Sequence, residues 1–301
     1  MTQIDIVIPC AGRVQDLLRL LDSIERECKA SLAEVVASII ATDDRHAVGL
    51  GEQIAQAHPA VRYVAGPARG PAANRNHGAR QGDAEWILFL DDDCYLEADL
   101  IATYAARIAS FIDVDVFEGA IHPVGERPNG NHHAPINTTG GYLWSCNMLI
   151  WRRTFEAVGG FDERFPFACL EDCDLMTRLQ AAAVSVQFAA DAVVLHPWRS
   201  VGEREVTRGL ISHAIYADKH PAFVQEWTTL HLLRALRGRV RQYRAGRFRT
   251  IPWSKYRTVA YDVVAPLAVF ALMRIPAWRR RVVQRHFSGL AAPAPVVPTH
   301  T

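Results

Sequence analysis

Residues 86–94 read WILFLDDDC, an apolar run that ends in three aspartates. Such a run predicts a buried strand that delivers carboxylates to a site. Residues two apart on an extended segment point the same way, so Asp91 and Asp93 are expected to face one oxygen-rich locus. A hard divalent cation there offsets their mutual repulsion, and the chemistry implied is that of a metal-bound phosphate. An acidic cluster after a strand serves equally well as a helix cap or a solvated turn, so its context decides between these readings.

The elements that must position these carboxylates follow in order. Ile4 to Ile8 is a β-branched run broken by Pro9 and Gly12, which predicts a first strand feeding a polar turn. From Asp16, the apolar positions Leu17, Leu18, Leu21, Ile24 and Cys28 recur at helical spacing. A second strand is predicted over Val35 to Ala41, followed by Asp43 and Asp44, and a third over Val61 to Val64. Strand, helix, strand begins a parallel sheet, whose ligands sit beyond the carboxyl ends of the strands. The loop from Gly66 to Gly82 leads into a short helix carrying Asn74, Arg75, Asn76 and His77. Arg75 either reaches a phosphate or a base, or is a solvated surface arginine. A helix is expected over Ala98 to Phe111, a strand over Val114 to Ile121, and a long binding loop or lid from Pro123 to Gly141.

Five segments together resemble the family-two glycosyltransferases: IPCAGR, TDDR, GPAANRNHGA, LDDDC, and the stretch from Cys146 to Leu179 containing VGGFDE and an acidic ED. The resemblance covers roughly residues 4 to 200. It departs from the family pattern at Cys10, Ala11 and Gly12 and at Arg45 and His46, which leaves the base preference open. It implies an α/β, GT-A fold (Rossmann-like, with a mostly parallel sheet flanked by helices) and a helical C-terminal extension. The expected domains are 1–200 for nucleotide-sugar binding and catalysis, 201–290 for a basic helical extension, and 291–301 for a loose tail.

The implied reaction is inverting transfer of a sugar from a nucleotide diphosphate to a hydroxyl, in a single displacement. A cation held by carboxylates stabilises departure of the diphosphate. By resemblance, Asp93, Asp91 and His196 hold Mn²⁺ or Mg²⁺, His196 lying just after the apolar run Ala192 to Leu195. Pro9, Asp44, Arg75, Asp91 and Asp92 are the expected donor-binding residues, with Asp44 accepting from a ring N–H of uridine, thymidine or guanosine. Asp43 then caps the following turn. Glu171 and Asp172 are the candidates for deprotonating the acceptor. Both precede Leu175, Met176 and Leu179 and so sit in the first turn of a helix, where the macrodipole favours the ionised form. The resemblance points to Asp172 as the base, with Glu171 orienting it or the acceptor. Trp144, Asn147 and Trp198 are either acceptor contacts or core.

Two rivals stand beside this reading: an aspartate-dependent phosphohydrolase, and a nucleotidyltransferase or silent nucleotide-sugar-binding protein acting through a membrane-seeking basic tail. Tyr95 and the unused ED segment count against the first, and the intact carboxylates against silence.

Composition agrees with an enzyme. The chain has 301 residues, half of them apolar, enough to bury a full core. Six cysteines show no paired metal-ligand spacing and predict free thiols in a reducing cytoplasm. The first strand begins almost at Met1, so no signal peptide is expected. The net charge of +1 conceals a split, because His231 to Arg285 holds fourteen Lys and Arg against Asp262 alone. This tail predicts an anionic partner. It is either a peripheral seat on the inner face of the plasma membrane, near a glycan or lipid-linked acceptor, or a solvated basic face packed on the acidic part. The eleven-residue apolar run from Val263 to Met273 is too short for a span. Nucleic acid is not an expected partner, because no such motif is present.

Overall fold

The computed structural model describes residues 3–28, 35–97, 99–245, 251 and 253–287. In chain order the elements are β1 (Ile4–Cys10), α1 (Val14–Glu27), β2 (Val36–Asp43), α2 (Leu50–Ala57), β3 (Val61–Ala65), α3 (Pro71–Ala79) and β4 (Trp86–Leu90). Then follow β5 (Tyr95–Leu96), α4 (Leu100–Ser110), β6 (Val116–Pro123), β7 (His132–His133), β8 (Asn147–Trp151), α5 (Arg152–Ala157), α6 (Glu171–Ala181) and β9 (Val186–His196). The remainder is β10 (Arg199–Ser200), α7 (Glu203–Lys219), α8 (Pro221–Glu226), α9 (Thr229–Ala245), α10 (Tyr256–Arg274) and α11 (Pro276–Phe287). The chain divides into two compact units, one of 3–122 and 135–197, the other of 123–134 and 198–287. The expected tail at 291–301 lies outside the described residues.

The first unit holds an eight-stranded sheet in the order β3-β2-β1-β4-β8-β6-β9-β5. β1 pairs parallel with β2 and β4, and β2 with β3, while β8 runs antiparallel to β4 and to β6. This is the expected α/β, GT-A arrangement. β1 and β4 are buried along their whole length, which explains their unbroken apolar sequences. The chain passes from β1 outward to β2 and β3, then crosses back to β4. The order therefore reverses between β1 and β4, and the crevice beyond their carboxyl ends is where ligands sit in open α/β sheets.

β1 differs from expectation by running through Pro9 to Cys10, with Pro9 opposite Thr42. The β1–β4 ladder ends at Val7 opposite Phe89, two residues earlier, so the missing N–H at Pro9 removes no bond from it. α2 was not foreseen: eight residues with Gly51 and two glutamines inside give little helical periodicity. α3 starts with Pro71 at its first turn, where an absent N–H is harmless. It lies close on the sheet at Gly78, where a Cβ would come within 2.5 Å of Val7 and 2.6 Å of Thr42.

The second unit pairs β7 with β10 and gathers α7 to α11. Part of the expected loop at Pro123 to Gly141 therefore belongs here, while Asn137 bridges to Ile121 in the first unit. Ala217, Trp227, Val269 and Met273 form one small core, and Tyr243, Ile251 and Val259 another. The apolar run from Val263 lies within α10, which at 19 residues is long and apolar enough to cross a membrane. The eleven-residue run, read as too short for a span by itself, is the apolar part of this longer helix.

Gly78→Ala drives a methyl into two short, β-branched neighbours and lifts α3 from the sheet. The expected loss is about 1–3 kcal/mol of stability, measured by urea unfolding against the parent protein.

Candidate active site

The three aspartates leave the end of β4 in a turn closed by the Cys94 N–H donating to the Asp91 carbonyl at 3.1 Å. They are not extended, as the two-residue period had assumed, because β4 stops at Leu90. They diverge. Asp91 Oδ1 accepts from Arg75 Nη2 at 2.8 Å. Asp92 is fully buried and turns to Arg13, whose Nε donates to Oδ1 at 2.8 Å. Asp93 Oδ1 lies 3.3 Å from His196 Nε2.

Arg75 is only 4% exposed, so it is not a solvated surface arginine. One guanidinium nitrogen holds Asp91 and another donates to Glu171 Oε1 at 3.1 Å. Glu171 and Asp172 form the first turn of α6 and are both buried. Asp172 Oδ2 accepts from the Ser145 N–H at 3.2 Å, while its Oδ1 has no hydrogen-bond partner. Asp174 turns back along the helix to Arg178 at 2.8 Å.

One guanidinium thus faces three carboxylates, and their acidities diverge accordingly. Burial presses Asp91 upward, but Arg75 and then His196 outweigh it and hold the carboxyl below its ordinary range. Burial, then the neighbouring Asp172, lifts Glu171 to about 8 against the pull of Arg75. Asp172 is also raised, by burial first, with Arg75 and Ser145 opposing. A base raised toward neutrality has more driving force to accept a proton. Asp92 is pushed up to about 7 by burial, with Arg13 opposing.

His196 closes β9, and its Nδ1 lies 2.9 Å from the Pro197 carbonyl. With Nδ1 turned to that carbonyl, Nε2 faces a carboxylate oxygen of Asp93. Two electron-rich atoms at that separation fit a cation between them, and a carbonyl-oriented imidazole is the usual support for a metal ligand. Ligand atoms of Asp93, Cys94 and His196 lie within 4.8 Å of one another. The Cys94 thiol is directed to the Cys146 carbonyl at 3.6 Å, leaving oxygen and nitrogen as the donors suited to a hard or borderline divalent ion.

At the end of β2, Asp43 caps the turn as expected, accepting from the Arg45 and Ala47 N–H groups at 2.9 and 2.7 Å. Asp44 uses its two oxygens on the N–H groups of Ala68 and Gly70, both at 2.9 Å, and so fastens the loop before α3. Pro9 is buried inside β1. Asn147 is no acceptor contact: it is fully buried, accepts from Tyr104 and donates to the Ala120 and Ala192 carbonyls. Trp144 stacks on half-exposed Tyr142 with centroids 6.0 Å apart. Trp198 belongs to the second unit, its Nε1 donating to the Gly125 carbonyl.

Sequence reading missed Arg13 and Glu118. Arg13 left only an ordinary polar turn as its signal. Glu118 lies inside an apolar strand, where a lone carboxylate is itself the signal. Its oxygens accept from the N–H groups of Gly141, Tyr142 and Leu143, which fixes the segment leading to Ser145.

The model of Glycosyl transferase family 2 matches residues 5–161, more than half of the chain. This chain belongs to glycosyl transferase family 2. A second model, Glycosyltransferase like family 2, matches residues 142–199, which adds the α6 carboxylates and His196 to the matched region. An O-antigen biosynthesis protein of Myxococcus xanthus is 26% identical over 226 residues, 64% of this chain and 17% of that protein. An N-acetylglucosaminyl-diphospho-decaprenol L-rhamnosyltransferase of Mycobacterium tuberculosis is 34% identical over 103 residues, 33% of this chain and 32% of that one. The chain therefore spans a third or less of the length of these relatives. In fold, it is similar to mannosyl-3-phosphoglycerate synthase from Rubrobacter xylanophilus, with TM-score 0.53, 13% identity and 75% of each chain covered. It is also similar to S. aureus TarS, with TM-score 0.51, 14% identity, 94% of this chain and 55% of that one.

The raised Glu171 carboxyl makes folding of this family-two protein pH-dependent. The folded form holds a proton that the unfolded chain has released, so stability falls as pH rises from about 4.5 through about 8. Glu171→Gln should flatten that decline, as compared by urea unfolding at pH 5 and pH 8 without added metal.

Proposed function

We propose that this chain is an inverting glycosyltransferase that moves a sugar from a nucleotide-diphosphate donor to a hydroxyl of a glycan or lipid-linked saccharide. One observation carries the reading. Arg75 joins Asp91 of the aspartate turn to Glu171 of α6, so the donor side and the helical turn that carries the candidate base Asp172 are held by a single guanidinium. Membership of the family supports the same reaction and speaks against a phosphohydrolase. The two relatives, an O-antigen biosynthesis protein and an N-acetylglucosaminyl-diphospho-decaprenol L-rhamnosyltransferase, support a lipid-linked or surface-glycan acceptor. Residues 1–200 would form the catalytic part and 201–290 an extension, with the enzyme on the cytoplasmic side.

In this reading Asp172 takes the proton from the acceptor hydroxyl as that oxygen attacks the anomeric carbon. Its free Oδ1 is the accepting atom, while the Ser145 N–H holds Oδ2 and so fixes the carboxylate plane. Glu171 and Arg75 position it. On the opposite face of the sugar the bond to the diphosphate breaks, and the electron pair leaves with the phosphate. Asp93, Asp91 and His196 would hold Mn²⁺ or Mg²⁺, which when bound would offset the charge of that leaving group. Asp44 and the loop it fastens line the donor base, with Pro9 beneath at the end of β1 and Asp92 bracing the turn through Arg13.

Thermal-shift measurements with UDP-, dTDP- and GDP-sugars, each with and without Mn²⁺, test the donor site, since a ligand bound only by the folded state raises Tm. One nucleotide class is expected to give a metal-dependent rise that Asp93→Asn abolishes. No rise with any nucleotide would remove the donor site from consideration. Asp172→Asn should keep the rise yet lower kcat by about 10²–10⁴, as followed by release of nucleoside diphosphate in the presence of acceptor. The anomeric configuration of the product, read by NMR, separates inversion from retention.

A further inference from the structure

The second unit carries a surface that the transfer chemistry leaves unused. Along α10, Tyr261, Val264, Leu267 and Ala271 follow one another at steps of three and four residues and so share a face, and Ile275, whose N–H donates to the Ala271 carbonyl, caps its end. Val264, Leu267 and Ile275, each about half exposed at 47–49%, form the middle and end of that stripe. Pro276 ends the helix, and Trp278, 41% exposed, extends the apolar corner into α11. Exposed patches of this kind mark sites of association.

The opposite face of α10 is committed to the unit's own interior. Val259, Asp262, Pro266, Val269 and Met273 are buried, and the Asp262 carboxylate accepts from Tyr243 at 2.8 Å. A helix bonded in this way on one side offers only its other side to any partner. Although α10 has the length to cross a bilayer, its packing suits lying in the interface.

Charge names the partner. Arg280 and Arg281 are exposed beside Trp278, and Arg237, Arg241 and Arg244 line the outer face of α9 among the exposed Leu233 and Val240. The single carboxylate between His231 and Arg285 is Asp262, which is buried. Guanidinium groups around an apolar stripe complement phosphate headgroups above acyl chains. A second copy of the chain would set arginines against arginines, and RNA would leave the apolar side chains without partners.

We propose that the α10–α11 corner of this unit is a seat for an anionic membrane surface, with Leu267, Ile275 and Trp278 entering the acyl boundary and Arg280 and Arg281 meeting the headgroups. This deepens the proposed transfer reaction by bringing the enzyme to lipid-linked acceptors. It rests on that reading only for the acceptor's identity, since membrane binding itself needs no sugar donor.

Flotation of the full chain with vesicles tests it directly, using phosphatidylcholine alone or mixed three to one with phosphatidylglycerol. Binding is expected only to the mixed vesicles and weaker at high salt. It should fall about fivefold for each arginine removed in Arg280→Gln with Arg281→Gln. Ile275→Ser with Trp278→Ser should weaken it by about tenfold or more while leaving the melting temperature of the protein unchanged. No flotation with either vesicle overturns the seat, whatever the outcome of the nucleotide measurements. Salt-sensitive binding that the apolar variant leaves intact overturns it in favour of simple adsorption. A dimer in light scattering that the apolar variant dissociates assigns the face to a second copy and also overturns it, as does RNA binding that competes off the vesicles.

Discussion

The site depends on one buried guanidinium. Arg75 has almost no access to water, and a cation placed there is tolerable only because carboxylates surround it. The converse holds for Asp91, Glu171 and Asp172, which could not share so small a volume without it. Three segments far apart in the chain, α3, the turn after β4 and the start of α6, are thereby held in one arrangement. Removing Arg75 would leave uncompensated charge in each of them, so its role in folding and its role in function cannot be separated by deletion alone.

Much of the first unit was legible because β1 and β4 are buried on both faces and the first helix is amphipathic, two patterns that sequence displays directly. The runs at Ile4, Val36, Val61 and Trp86 all became strands of the parallel half of the sheet. Spacing alone misjudged the aspartate segment, where the backbone turns at Leu90 and the side chains reach common ground by diverging and meeting partners from elsewhere. Asn147 stayed open between acceptor contact and core, because a buried asparagine that satisfies three distant groups looks, in sequence, like any polar residue near a tryptophan. Arg13 escaped notice for the same reason: its partner Asp92 lies 79 residues away.

The unequal acidities around Arg75 follow from position more than from residue type. Asp91 faces both Arg75 and His196 and stays ionised, whereas Glu171, deeper and beside Asp172, tends to keep a proton. Carboxylates whose environments push them apart in this way are equipped for different duties. The support lies outside the carboxylates themselves, in the Ser145 N–H and in the Glu118 carboxylate that anchors the segment before it.

Asp44 spends its two oxygens on the backbone of the loop ahead of α3. Whatever faces that loop is therefore shaped by the loop and the aspartate as a single piece. A point substitution at Asp44 would let the loop fall open before it could alter any discrimination made there. Asp44 and the loop up to Gly70 thus act as one mechanical part, which could be exchanged only as a whole.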